Sequence, residues 1–99
     1  MNMINQMVLK SNEDILIELA EREKAARRRA GITQAEMSAR SGVSLGSLKR
    51  FERTGEISLT SLVKLSWVLN RTNEFDVLFA EKEHTYTSLE EALAEWKER

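Results

Sequence analysis

The chain has 99 residues with a formal net charge of −1, 41% hydrophobic residues, 31% charged residues and no cysteine. This length fits one domain, and the hydrophobic content excludes a chain that is disordered by composition. No apolar run approaches the ~20 residues that a bilayer requires, which excludes a membrane-spanning chain. The absence of cysteine excludes a disulfide scaffold and thiolate metal sites.

The first predicted helix follows a short polar segment. The chain has no proline and an apolar spacing of three and four residues, which predicts an all-α fold. We expect this helix to begin at Ser11 or Asn12, where a polar cap precedes two acids, and to end near Ala30. The residues expected on its inward face are Ile15, Leu19, Ala26 and Ala30.

Two shorter helices follow, with a glycine turn between them. Thr33 and Glu36 have the spacing of a capping box, so the second helix should begin there and end near Arg40. Gly42 turns the chain, and Ser44 caps a third helix that reads LGSLKRFER. Two helices of about eight residues joined by such a turn form a helix-turn-helix, whose second helix enters the major groove of DNA.

The stretch TQAEMSARSGVS resembles the Cro/C1-type (XRE) helix-turn-helix family, with Gln34, Gly42 and Val43 at the characteristic positions of the motif. The resemblance covers roughly residues 22–79. It implies an all-α, five-helix, lambda-repressor-like domain with short N- and C-terminal extensions. It also implies that Arg27 of the first helix pairs with Glu52 of the third helix.

The same resemblance indicates which side chains contact DNA. Gln34 is expected to donate to a phosphate, and Arg50 to bind a guanine through two hydrogen bonds. Leu45 can pack on a thymine methyl group, while Gly46 lets the helix approach closely. Phosphate binding also fits the charge distribution, because residues 22–53 sum to +6 and residues 73–99 to −5. The complete predicted DNA-binding set is Gln34, Ser44, Leu45, Gly46, Ser47, Lys49, Arg50 and Arg53.

Ser58 is expected to cap a fourth helix, and the segment NEFDVLFAEKE to form a fifth helix that closes the core. Trp67 points away from the apolar stripe of the fourth helix. Cover by one of the extensions and contact with a subunit or partner explain this tryptophan equally well. The inward stripe of the fourth helix comprises Leu59, Leu62, Leu65, Ser66 and Leu69, and that of the fifth helix Phe75, Leu78 and Phe79.

Both ends of the chain carry apolar side chains that need a partner surface. Ser88 and Glu91 have capping-box spacing at the start of an acidic C-terminal helix, which must dock on its own domain, a second subunit or another protein. Residues 84–87 could form a short strand between subunits. The leader contributes Met3, Ile4, Met7, Val8 and Leu9. The candidate interface residues are Trp67, Leu89, Leu93 and Trp96.

We therefore divide the chain into an N-terminal extension with the start of helix 1 (residues 1–21), a DNA-binding domain (22–80) and an acidic tail (81–99). We find no phosphate-binding glycine loop, metal-ligand cluster or activated nucleophile, so we predict no enzyme, cofactor or metal. The single His84 is expected to be a solvated loop residue. The N-terminus lacks the apolar core of a secretory signal, which makes a cytoplasmic location the expectation.

The longer pattern SLGSLKRFERTGEISLTSLVKLSWVLN, followed by EFDVLF and an acidic tail, resembles HipB-like antitoxins of HipA-type toxin kinase operons. This resemblance implies a homodimeric repressor that binds its own operator in double-stranded DNA and also binds the kinase, as in type II toxin-antitoxin systems. The alternatives are a phage-type or chromosomal regulator without a toxin partner, and an interaction module without useful DNA affinity. Operator sequence, dimer geometry and any small-molecule effector are left open by the sequence.

Overall fold

The computed structural model describes residues 9–81 and 89–97, and within these ranges the chain is helical with no strand. This confirms the prediction of an all-α fold. Helices α1 to α4 also lie where the capping residues predicted them. The bounds are α1 Asn12–Arg29, α2 Gln34–Ser41, α3 Leu45–Thr54, α4 Leu59–Val68, a 3-10 helix Thr72–Val77 and α5 Leu89–Lys97.

Each of the first four helices begins at a side-chain N-cap. At each cap, a hydroxyl oxygen accepts a hydrogen bond from the backbone N–H three residues further on, which satisfies one of the free donors of the first turn. In the first two helices, Asp14 and Glu36 complete a capping box by accepting from the backbone N–H of the cap residue. The four cap residues are Ser11, Thr33, Ser44 and Ser58.

The core lies between α1, α2, α3 and α4. Leu48 and Phe51, three residues apart on α3, are fully buried, as is Met37 of α2. Of the stripe predicted for α4, Leu65 is buried whereas Leu59 is 66% exposed. The buried apolar side chains are Ala20, Ile32, Met37, Val43, Leu48, Phe51 and Leu65.

The face that α1 buries overlaps the predicted one only in part. Leu19 packs half-buried against the core as predicted, but Ile15 is 53% exposed. The buried side chains of α1 are Ala20, Glu23 and Arg27. Two of these three side chains are charged, so a search for apolar residues at helical spacing does not find them. Arg27 pairs in the interior with Glu52 of another helix, and Glu23 lies beside the same carboxylate.

The turn between α3 and α4 lies directly against α1. Gly55 ends α3 with φ 83°, a conformation that favours glycine. A Cβ atom at this position would lie 2.6 Å from the backbone carbonyl carbon of Leu16. The absence of a side chain therefore permits the turn to pack on α1.

The prediction of a fifth helix that closes the core is wrong in its details. The segment forms a 3-10 helix of six residues, Thr72–Val77, and not an α-helix. The helix ends at Val77, after which Leu78 is extended and Phe79 has φ 60°, so the backbone no longer directs these two side chains as a helix would. Phe75 is half-buried, but Leu78 is 57% and Phe79 98% exposed. These two side chains therefore do not cover the core of this chain.

The C-terminal helix α5 is present, and its side chains Leu93 and Trp96 are 44% and 67% exposed. The predicted cap Ser88, the strand at 84–87, His84 and the leader residues 1–8 lie outside the described residues. Leu9 is described and is 68% exposed. In the part of the chain that the structure covers, no helix combines the length and apolar character required to cross a membrane.

Candidate nucleic-acid interface

Three hydrogen bonds between residues close in sequence fix the turn between α2 and α3. The backbone N–H of Gly42, which has φ 79°, donates to the carbonyl oxygen of Ser38 at 3.0 Å. The hydroxyl of Ser38 donates to the carbonyl oxygen of Val43 at 2.6 Å, and the N–H of Val43 donates to the Ser41 hydroxyl at 3.0 Å. Val43 itself is buried. The angle between the two helices is therefore set both by the turn and by the core.

Helix α3 presents a broad exposed face opposite its buried side chains Leu48 and Phe51. At its start the hydroxyl of Ser44 accepts from the N–H of Ser47 at 3.1 Å and donates to the Ser47 hydroxyl at 2.8 Å. A Cβ atom at Gly46 would have no neighbour within 4 Å, so packing does not require glycine there. The predicted DNA-binding residues on this exposed face are Ser44, Leu45, Gly46, Ser47, Lys49, Arg50 and Arg53.

A buried ion pair joins α3 to α1. Arg27 donates from Nε to Oε2 of Glu52 at 2.8 Å and from Nη2 to Oε1 at 2.8 Å. Its Nη1 donates to the carbonyl oxygen of Ile32 at 2.9 Å. The side chains of Arg27 and Glu52 are 7% and 3% exposed. Because the pair is bidentate and shielded from water, it holds α3 firmly against α1.

Gln34, predicted to donate to a phosphate, begins α2 and contacts the same ion pair. Its Nε2 donates to Oε1 of Glu52 at 3.0 Å, and the side chain is half-buried. A primary amide has two N–H donors. The contact with Glu52 uses one of them, which leaves the second for another acceptor.

Glu23 belongs to this cluster, and sequence reasoning missed it. Among the described residues, neither of its carboxyl oxygens has a hydrogen-bond donor. Burial, followed by the neighbouring carboxylate of Glu52, raises the pKa of Glu23 to about 8, although the Arg27 charge opposes this. Since Glu52 is an acceptor, the two acids can share a hydrogen bond only when one carries a proton. Glu23 is therefore largely protonated at neutral pH.

The pKa of Glu52 moves in the opposite direction. Burial opposes ionisation, but hydrogen bonds from Arg27, Glu23 and Gln34 together lower its pKa. Glu52 thus carries the negative charge of the cluster while Glu23 holds a proton. The signal in the sequence was the spacing of Glu23 and Arg27, four residues apart on one helix face.

Arg50, the predicted guanine-binding residue, is paired with an acid that sequence reasoning also missed. Its Nη2 donates to Oε2 of Glu56 at 2.5 Å, and the two side chains are 61% and 58% exposed. In the sequence, this pairing was indicated only by position, because Glu56 directly follows Gly55, the glycine that ends α3, and lies six residues after Arg50. The pair borders an open cleft of about 410 Å³, lined by Ser47, Arg50, Glu56, Ile57, Ser58 and Ser61.

Two further cations and the candidate interface residues are also exposed. Within the described residues, Lys49 and Arg53 make no ion pair, so their charges are available to an anionic partner. On α4, Trp67 is 69% exposed. Leu93 and Trp96 are exposed on α5, and Leu89 is its first residue. No group of three or more potential metal ligands occurs in the described ranges.

The comparisons with known proteins agree with this geometry. The model of a helix-turn-helix family, HTH_3, matches residues 24–73, which extend from α1 through α4 into the 3-10 helix and cover half of the chain. Neither the curated proteins nor the solved structures give a match. The family match confirms the Cro/C1-type assignment made from the motif residues. The chain thus belongs to the helix-turn-helix family HTH_3 and is a DNA-binding transcription regulator.

Proposed function

We propose that this regulator is a sequence-specific repressor whose helix α3 enters the major groove of an operator. The observation that carries the proposal is the exposed face of α3, with Lys49, Arg50 and Arg53 on it. The buried pair of Arg27 and Glu52 supports it, because a recognition helix must be held firmly to place side chains on base edges.

In this proposal the side chains of α3 divide into two groups. Arg50 binds a guanine, and Leu45 packs on a thymine methyl group. Lys49 and Arg53 bind phosphates, which positions the domain without selecting a sequence. Gly46 allows α3 to lie close to the floor of the groove. The remaining contacts come from the hydroxyls of Ser44 and Ser47 and from the free amide hydrogen of Gln34.

The small number of base contacts favours a dimer. One bidentate contact contributes about 1–3 kcal/mol, whereas specific sites are typically favoured over other DNA by about 4–10 kcal/mol. Two subunits on a palindromic operator double the contacts. We propose that some of the exposed apolar side chains outside α3 form the subunit interface, in particular Leu78, Phe79 and Leu93.

We further propose that the repressor is the autoregulating, HipB-like antitoxin of a HipA-type toxin kinase. Support comes from the exposed tryptophans Trp67 and Trp96, since aromatic side chains are frequent anchors of protein interfaces. The alternative is a phage-type or chromosomal regulator without a toxin partner. A kinase gene beside this gene whose product co-elutes with the purified chain would support the antitoxin role, and a chain without such a neighbour would favour the alternative.

The experiment that tests DNA recognition is an anisotropy titration against a labelled duplex from upstream of the chain's own gene, with a scrambled duplex beside it. The expected result is tight, salt-dependent binding that prefers the native duplex. Equal, weak binding to both duplexes would contradict sequence-specific repression. Sedimentation of the same protein with and without DNA measures whether it binds as a dimer.

A further inference from the structure

We propose that Glu56 is a specificity-determining residue: it holds Arg50 for a guanine and opposes the use of Arg50 on phosphates. This inference rests on the proposed sequence-specific binding. Glu56 is not on the recognition helix and was not among the predicted DNA-binding residues. Its contact with Arg50, Nη2 to Oε2 at 2.5 Å, is the observation from which the inference starts.

The backbone fixes Glu56 beside Arg50. The hydroxyl of Thr54 donates to the carbonyl oxygen of Arg50 at 2.8 Å and accepts from the N–H of Glu56 at 3.2 Å. Between them, Gly55 packs on the backbone of Leu16 so closely that a Cβ atom would not fit. The carboxylate of Glu56 therefore extends from an anchored turn, which keeps its backbone beside Arg50.

The pair is weak enough to coexist with a base contact. Exposed ion pairs contribute about 0.2–1 kcal/mol, less than the ~1–3 kcal/mol of a bidentate contact between arginine and guanine. A guanidinium has five N–H donors, and the contact with Glu56 uses the Nη2 end. Nη2 carries two hydrogens and the contact uses one of them, so one of the two donor pairs, Nε with Nη2 or Nη1 with Nη2, remains for a guanine. Arg50 can therefore bind its base and keep Glu56 as a neighbour.

A phosphate contact is a different case. If Arg50 turns to the backbone of any duplex, Glu56 loses its counter-charge close to a polyanion, which is unfavourable. Glu56 thus weakens binding to sequences that offer Arg50 no guanine, and affects the preferred sequence less. Such a repulsive element against the wrong partner raises specificity without adding a contact to the right one.

The experiment compares Glu56→Gln with Glu74→Gln. Both substitutions remove one negative charge from an exposed ion pair, but Glu74 pairs with Arg71 outside the helix-turn-helix. The probes are the duplex that the wild-type chain enriches from a random library and a scrambled version of it. We expect Glu56→Gln to tighten binding to the scrambled duplex by up to about fivefold and to change binding to the enriched duplex less, which lowers the ratio of affinities. Glu74→Gln should leave the ratio unchanged.

A second measurement tests whether Glu56 acts through Arg50. In an Arg50→Ala background, Glu56→Gln should no longer change the ratio of affinities. An unchanged ratio for Glu56→Gln in the otherwise wild-type chain would overturn this inference alone. Failure of the wild-type chain to enrich any sequence would instead overturn sequence-specific binding itself, and this inference with it. Both glutamines replace exposed side chains, so matching thermal melts will show that folding is unaffected.

Discussion

Replacing Glu23 by glutamine should stabilise the protein at neutral and alkaline pH. Glu23 is 7% exposed, and its pKa is raised from 4.5 to about 8. Above pH 4.5 the unfolded chain releases this proton, while the folded chain retains it up to about pH 8. The stabilising contribution of Glu23 is thus complete below pH 4.5 and is lost as the pH rises through 8.

The size of the effect follows from the same values. Between the two pKa values, the free energy of unfolding falls by at most about 1.4 kcal/mol per pH unit. Because the site can relax and admit water when Glu23 ionises, we expect a total loss of roughly 2–4 kcal/mol by pH 8, below the limit set by this slope. Glutamine has nearly the same volume, does not ionise in this range and can donate an amide hydrogen to Glu52.

The assay is urea unfolding followed by circular dichroism between about pH 5.5 and pH 8.5. This window excludes the titration of Glu52, whose lowered pKa makes it a source of stability that is lost only in acid. The exposed Glu21 of the same helix supplies a matched control, Glu21→Gln. If the wild-type and Glu23→Gln curves run parallel across the window, or if Glu23→Gln is the less stable protein at pH 8, then Glu23 does not retain its proton in the folded chain.

Three further predictions concern the recognition helix and its glycines. Arg50→Ala should lower affinity mainly for the preferred duplex, whereas Arg53→Ala should lower affinity equally for all sequences. Arg53→Ala should also reduce the slope of log affinity against log salt concentration by about 1. Equal losses on both duplexes for both variants would contradict this division. Gly46→Ala should raise stability by about 0.5–1 kcal/mol in urea unfolding but weaken DNA binding in an anisotropy titration, and unchanged binding would show that close approach is not needed. Gly55→Ala should lower the free energy of unfolding by more than about 1 kcal/mol, and by more than Gly42→Ala does. Both glycines have positive φ, but of the two only Gly55 has backbone atoms where a Cβ atom would lie, so equal urea midpoints for the two variants would argue against the close packing.

The parts of the site that were predicted from sequence depend on neighbours along the chain. Hydroxyl caps bond to a backbone N–H three residues away, so Ser44 and Thr33 could be identified without knowledge of the fold. The glycine turn and the periodicity of Leu48 and Phe51 are also local, and they fix which side chains of α3 are exposed. The pairing of Arg27 with Glu52, 25 residues apart, was available only through the family resemblance.

The all-α fold, the helix boundaries from α1 to α4 and the family of DNA-binding regulators could be inferred from the sequence, because they depend on caps, periodicity and a motif of adjacent residues. Three features became visible only in the folded chain: Glu23 is buried beside Glu52, Glu56 pairs with Arg50, and Phe79 is exposed. The burial and the pKa of a side chain depend on groups that other helices or turns bring to it. A pattern along one helix specifies a face, but not what packs against it.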